Sequence, residues 1–172
     1  MANTLPPVIR YVTGHTPEGK AIVVKQDAPK ALHSGSDFTV YEAWIADHFP
    51  HDNASTADLA KDFSHGDTFK TLSQANGAIC RAVDIAPNTI TSMHRTQSLD
   101  FGIVVMGEVY LEVDDGVEQL IKQGEVVVQR GTMHRWTNKM DTWVRMYFVL
   151  LGAQDLYIDG VKYGSAGFHG QN

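Results

Sequence analysis

Cys80 is the only cysteine among the 172 residues. One thiol excludes an internal disulfide and any thiolate-rich metal cluster, and its neighbours Ala78, Ile79 and Ala82 predict plain burial. Long apolar runs are also missing, since no stretch reaches the roughly 18 residues that a membrane helix requires. Nor are there basic clusters. Lys and Arg number 14 against 20 acidic residues, for a formal charge of −6, and they are scattered, which argues against a phosphate-binding surface. No nucleic-acid partner and no membrane partner are therefore expected. Met1 to Arg10 lacks a basic segment followed by an apolar core, so no secretory signal is read and a cytoplasmic location is expected. Asn53-Ala54-Ser55 matches the glycosylation acceptor pattern, which carries no meaning without entry to the secretory path.

What is present is an ordinary globular composition, 43% hydrophobic and 20% charged, at a length that predicts one domain over 1–172 with a core needing no cross-link. The first third alternates short β-type runs with turns: Val8 to Val12, a turn over Gly14 to Gly19, Ala21 to Lys25, and Phe38 to Ile45 after His33-Ser34-Gly35-Ser36. Between Asp47 and Asp67 the composition turns polar. One short surface helix is expected there, with Ser55 and Asp58 as a capping-box-like start and Leu59 and Phe63 one turn apart. His48, His51 and His65 are irregularly spaced in polar company and read as a solvated loop.

From Ala78 the pattern is dense in strand: Ala78 to Ile85, Thr91 to Thr96, Phe101 to Met106, Val109 to Val113, Glu118 to Ile121, Val126 to Val128, His134 to Thr137 and Trp143 to Leu151. Gly107-Glu108, Asp114-Asp115-Gly116 and Lys122-Gln123-Gly124 supply the reversals, at a rhythm of about 8 to 12 residues that suits sandwiches and barrels. An all-β antiparallel barrel or jelly roll follows. The tail, 154–172, holds one further candidate strand at Leu156 to Ile158.

Residues two apart in a strand point the same way, so His94, Thr96 and, if no bulge intervenes, Asp100 project from one face. His134 opens a later strand, and closing a barrel brings it opposite that face. Two imidazoles and a carboxylate resemble the facial set that leaves open positions on ferrous iron, and they suit zinc or manganese equally. The bland alternative is a cluster of interior polar groups that satisfy one another. Against it stands the cost of burying several polar side chains without partners.

His94-Arg95-Thr96, Asp100 and Gly107 resemble the first cupin motif, and the run from Gly124 through Gln129-Arg130-Gly131-Thr132-Met133-His134 to Asn138 resembles the second. Here Thr96 stands where the family has a second histidine, Asp100 where it has glutamate, and Gln129 where it has a turn proline. The resemblance implies a cupin double-stranded β-helix, or jelly-roll barrel, with its core over 78–153, N-terminal strands within 1–77 and the tail over 154–172. It further implies a divalent metal (Fe, Zn or Mn) at His94, Asp100 and His134, the same three acting as catalytic groups. A hydroxyl is a poor transition-metal ligand unless deprotonated, so Thr96 is placed with the substrate.

His-Arg-Thr and Gln-Arg-Gly-Thr-x-His-x-Trp are similar to a subgroup of small cupins that tailor natural products. That likeness implies a carboxylated aromatic, polyketide-like or oxo-acid substrate, with decarboxylation as the leading reaction. An iron dioxygenase, a cupin isomerase, cyclase or dehydratase, and a non-catalytic small-molecule-binding cupin remain open beside it. Met106, Trp136, Phe101 and Phe148 are candidates for an apolar wall, and Arg95, Arg130, Arg135 and Arg145 for a carboxylate partner through the planar guanidinium fork. Arg145 and Tyr147 share one face of the last long strand and rank first, so the expected substrate contacts are Thr96, Met106, Trp136, Arg145 and Tyr147. Pairing of strand-rich N-terminal segments predicts a homodimer.

Overall fold

The computed structural model describes residues 2–59, 61 and 72–167. Its strands are β1 Arg10–His15, β2 Ala21–Asp27, β3 Ala31–Ser34, β4 Phe38–Ala46, β5 Ala78–Ile85, β6 Thr89–Ile90, β7 Ser98–Met106, β8 Glu108–Glu112, β9 Glu118–Lys122, β10 Val126–Arg130, β11 Arg135–Asn138, β12 Val144–Gly152, β13 Leu156–Ile158 and β14 Val161–Tyr163. The all-β expectation holds. A 3-10 turn, Asp114–Gly116, closes the β8 to β9 connection at a tight reversal the sequence signals. Among the described residues no helix is long and apolar enough to cross a membrane. Of the expected surface helix, Leu59 sits in a turn held by three-residue backbone bonds, Leu59 N–H to Thr56 and Lys61 N–H to Asp58. Phe63 and His65 lie outside the described residues.

Two sheets make the body, one ordered β10-β7-β12-β5-β4-β3 and the other β6-β11-β8-β9, with β1-β2 and β13-β14 as separate hairpins. Period-2 alternation sets which side chains meet between them. Ile79 and Ile85 from β5, Val104 from β7 and Met146 from β12 pack against Val109, Ile121 and Trp136 of the smaller sheet. This is the double-stranded β-helix that the motifs imply. Gly107 joins β7 to β8 at φ 79, a left-handed backbone that favours glycine.

The expected Thr91 to Thr96 strand is not continuous. β6 ends at Ile90, and the chain pairs again at His94, bonded as an isolated antiparallel bridge to His134. Gln97 bends the chain into β7.

Candidate functional site

A cavity of about 150 Å³ opens between the sheets. A cavity of roughly that size in another protein takes up benzene, so there is room for about one aromatic ring. Apolar lining comes from Val40, Val83, Trp136, Phe148 and Leu150, and polar lining from Arg81, His94, Thr96, Asp100, Gln129 and His134.

The larger sheet delivers its polar groups by register. Glu42 on β4 pairs with Arg81 on β5, Arg81 with Phe148 on β12, and Phe148 with Gly102 on β7. One step along, Ile79 meets Leu150, Leu150 meets Asp100, and Asp100 meets Gln129 on β10. Gly102 leaves space for an aromatic neighbour, since a Cβ there would lie 3.0 Å from the Phe148 ring. That ring in turn meets the edge of Trp136 at 5.7 Å between centroids and ties the two sheets together.

The smaller sheet's side supplies the imidazoles. His94 and His134 exchange both backbone hydrogen bonds at 2.9 Å, and their ring centroids are 4.3 Å apart. Each ring is oriented by its own turn: His94 Nδ1 donates to the Ser92 carbonyl at 2.9 Å and His134 Nδ1 to the Thr132 carbonyl at 3.0 Å. With Nδ1 the donor, Nε2 is left as the acceptor of a neutral imidazole. Burial holds His134 down to about 4, helped by the neighbouring His94 and opposed by the Thr132 carbonyl. Burial lowers His94 as well, against the pull of Ser92. At neutral pH both rings are uncharged lone-pair donors.

The carboxyl groups are pushed the other way. Burial raises Asp100 to about 6, against the Ser98 hydroxyl and the Arg81 charge. Burial also raises Glu42 to about 7 despite Arg81 beside it, whose Nη2 lies 2.6 Å from Glu42 Oε1. Arg81 is itself lowered by burial, with Glu42 and Asp100 resisting. The site thus combines neutral bases, carboxyls that keep their protons to unusually high pH, and one buried guanidinium. Opposed shifts of this kind in a cleft are the means by which acid and base roles are separated at one site.

The three-ligand metal set is not assembled among the described residues. Asp100 and the two histidines line one cavity, yet among the described residues no three His, Cys, Asp or Glu side chains lie close enough together to hold an ion. Both imidazoles have the orientation that metal-bound histidines use, with Nδ1 bonded to a backbone carbonyl.

Of the expected substrate contacts, Thr96 and Trp136 line the cavity, whereas Met106, Arg145 and Tyr147 do not. Arg145 forks onto Asp84 at 2.6 and 2.7 Å and donates to the Pro6 carbonyl at 2.8 Å. It lies on the sheet's outer face, with Tyr147, because Met146, Phe148 and Leu150 take the inward positions of β12. Met106 sits opposite Arg145 where the β7–β12 register shifts, past the end of the cavity. Two of the other candidate arginines are engaged elsewhere, Arg135 with Glu112 and Arg95 over the Tyr163 ring, and Arg130 does not line the cavity. Arg81 was missed as a cavity group, although its place between inward Ile79, Val83 and Ile85 on a strand is a readable signal of an inward charge. Gln129 registered only as the residue replacing a turn proline.

No family model matches the chain. Among curated proteins it is 35% identical over 159 residues to phomopsin biosynthesis cluster protein C' of Diaporthe leptostromiformis, covering 90% of this chain and 84% of that protein. It is 32% identical over 162 residues to the cupin-domain-containing oxidoreductase virC of Hypocrea virens, covering 90% and 81%. Its likeness to fogC of Aspergillus ruber, another cupin-domain-containing oxidoreductase, is 30% over 166 residues, covering 90% and 77%. The crystal structure of AerE from Microcystis aeruginosa aligns at TM-score 0.50 and 15% identity, over 75% of this chain and 48% of that one, a likeness of fold alone.

Proposed function

The chain belongs to the cupin family, among the cupin-domain proteins of fungal biosynthesis clusters, and from that premise we propose that it is a tailoring enzyme that decarboxylates a single-ring aromatic acid or a compact oxo-acid. The observation that carries the reading is a single ring-sized cavity lined by the Arg81 guanidinium, the Asp100 carboxyl and the His94–His134 imidazole pair, with burial lowering the imidazoles and raising the carboxyl.

Arg81 draws the substrate carboxylate in, and it does so best below about pH 7, where Glu42 is protonated and no longer competes for it. The apolar wall of Val83, Trp136 and Phe148 excludes water from the ring. In the reaction the bond between the substrate carbon and its carboxylate breaks, and its electron pair passes into the adjacent carbonyl or ring. Asp100 then gives its proton to that carbon, so that carboxylate plus one proton become carbon dioxide and a C–H bond. Asp100 recovers a proton from solvent. His134 Nε2, a neutral acceptor, holds the ring hydroxyl of a hydroxybenzoic substrate in place.

A second reading, an oxidoreductase acting on the same substrate class, is favoured by the names of the relatives. The experiment runs carbon dioxide release and oxygen uptake in parallel on hydroxybenzoic and β-oxo acids. Carbon dioxide without oxygen uptake, lost in His134→Gln, is the expected result. Oxygen uptake tied to substrate loss supports the oxidoreductase and overturns the decarboxylase.

A further inference from the structure

Gln129 is 3% exposed and lines the cavity, and neither its Nε2 nor its Oε1 has a hydrogen-bond partner among the described residues. Asp100, 4% exposed and paired with it across β7 and β10, has an unpartnered Oδ1. An orphaned buried polar atom forfeits its hydration without replacement, and native proteins hold few of them. These three atoms lie on two facing residues at one wall of the same cavity. Strand alternation makes this no accident of a loose surface side chain: Val126 and Val128 are 55% and 52% exposed, so Gln129 lies with Val127 on the face that β10 turns inward.

We propose that Gln129 and Asp100 form the recognition subsite of this cavity for a neutral group that both donates and accepts hydrogen bonds: an amide, an un-ionised carboxyl, or a hydroxyl beside a carbonyl. Gln129 Nε2 donates to the ligand's carbonyl oxygen, and Gln129 Oε1 and Asp100 Oδ1 are the acceptors for its N–H or O–H. A lone carbonyl leaves the acceptors unpaired, and an apolar ring leaves all three atoms unpaired, so the subsite selects for the paired group. The inference rests on the reading that the cavity is the substrate site, and it adds which substituent the substrate carries at the β7–β10 wall. The orphaned amide is a cost to the empty protein that a ligand of this kind offsets.

The test uses benzamide, one ring bearing such a group, and toluene, a ring of similar shape without it, titrated by calorimetry into wild type and Gln129→Met. Benzamide is expected to bind wild type and to weaken by at least about tenfold in Gln129→Met, the loss of one or two hydrogen bonds, while toluene affinity stays the same. Unliganded Gln129→Met is expected to melt higher than wild type, because its orphaned amide is gone. Gln129→Leu, which removes both polar atoms at similar volume, repeats the reading if Gln129→Met fails to fold. Benzamide binding that is equal in wild type and both variants, or absent from wild type, overturns the proposal. Because binding is read without turnover, a protein that releases no carbon dioxide yet binds benzamide through Gln129 refutes the decarboxylase alone. One that releases it while its benzamide binding ignores Gln129 refutes the subsite alone.

Discussion

The larger sheet carries a buried arginine–carboxylate pair on each face, and the two pairs have different fates. On the outer face Arg145 grips both oxygens of Asp84, the Pro6 carbonyl completes its fork, and Asn3 Nδ2 donates to Asp84 at 2.6 Å. The hydrogen bond to Asp84 holds Arg145 above the usual guanidinium range, against burial. On the inner face Arg81 meets Glu42 beside a cavity, Glu42 is pushed up to about 7, and Arg81 is pulled down. A closed pair on one face fastens the N-terminal segment to the sheet. A pair held open to a cavity, with carboxyls that titrate near neutrality, is chemically poised.

That contrast is broken most severely by Arg145→Ala. It leaves the fully buried Asp84 uncompensated, at an expected cost of about 3–5 kcal/mol, measured by urea unfolding. Turnover per folded molecule is expected to be unchanged. His134→Ala reverses the pattern, with turnover falling by about 10²–10⁴-fold in steady-state assays and stability nearly unaffected. Arg81→Met is expected to cost less stability than Arg145→Ala, about 1–3 kcal/mol, because Glu42 escapes its loss by keeping a proton. Its KM for an acid substrate rises.

The pH dependence sharpens the same contrast. Glu42 in the fold holds its proton to about 7 while in the unfolded chain it releases it near 4.5. Its contribution to stability is therefore complete below about 4.5 and is lost as pH rises to about 7. Relative to wild type, Glu42→Gln is expected to gain stability across that window in thermal melts. For kcat/KM the limbs are set by His134, which must be neutral, and Asp100, which must be protonated. Activity rises above about pH 4 and falls above about pH 6, and Asp100→Asn removes both the descending limb and most of the rate. The smallest effect is expected from Tyr147→Phe, an outer-face change that leaves kcat/KM within about twofold.

How much of this was readable in the sequence differs between the two faces. The inward side of β5 follows strict alternation, Ile79, Arg81, Val83, Ile85, and its bounds match those expected, Ala78–Ile85. The barrel was legible in that alternation and in the glycine turns at Gly107 and Gly124, and His94, Thr96, Asp100, His134 and Trp136 do share one cavity. On β12, by contrast, Val144, Arg145 and Met146 are all buried, so alternation does not say which face looks into the barrel. On the outer face Arg145 reaches the Pro6 carbonyl, 139 positions away in sequence, a long-range contact no local pattern announces. Gln129 was hidden for another reason. A polar residue on an edge strand reads as solvated until its partners on both faces are known.

The central claim, that the inner face presents neutral imidazoles to a ligand, is most directly tested by long-range 1H–15N NMR of the histidine side chains from pH 3.5 to 8. The account predicts that His134 is protonated on Nδ1 alone down to about pH 4, with its Nε2 resonance moving when benzamide is added. A His134 that titrates near its ordinary 6.5, or an Nε2 resonance indifferent to saturating benzamide, would contradict it.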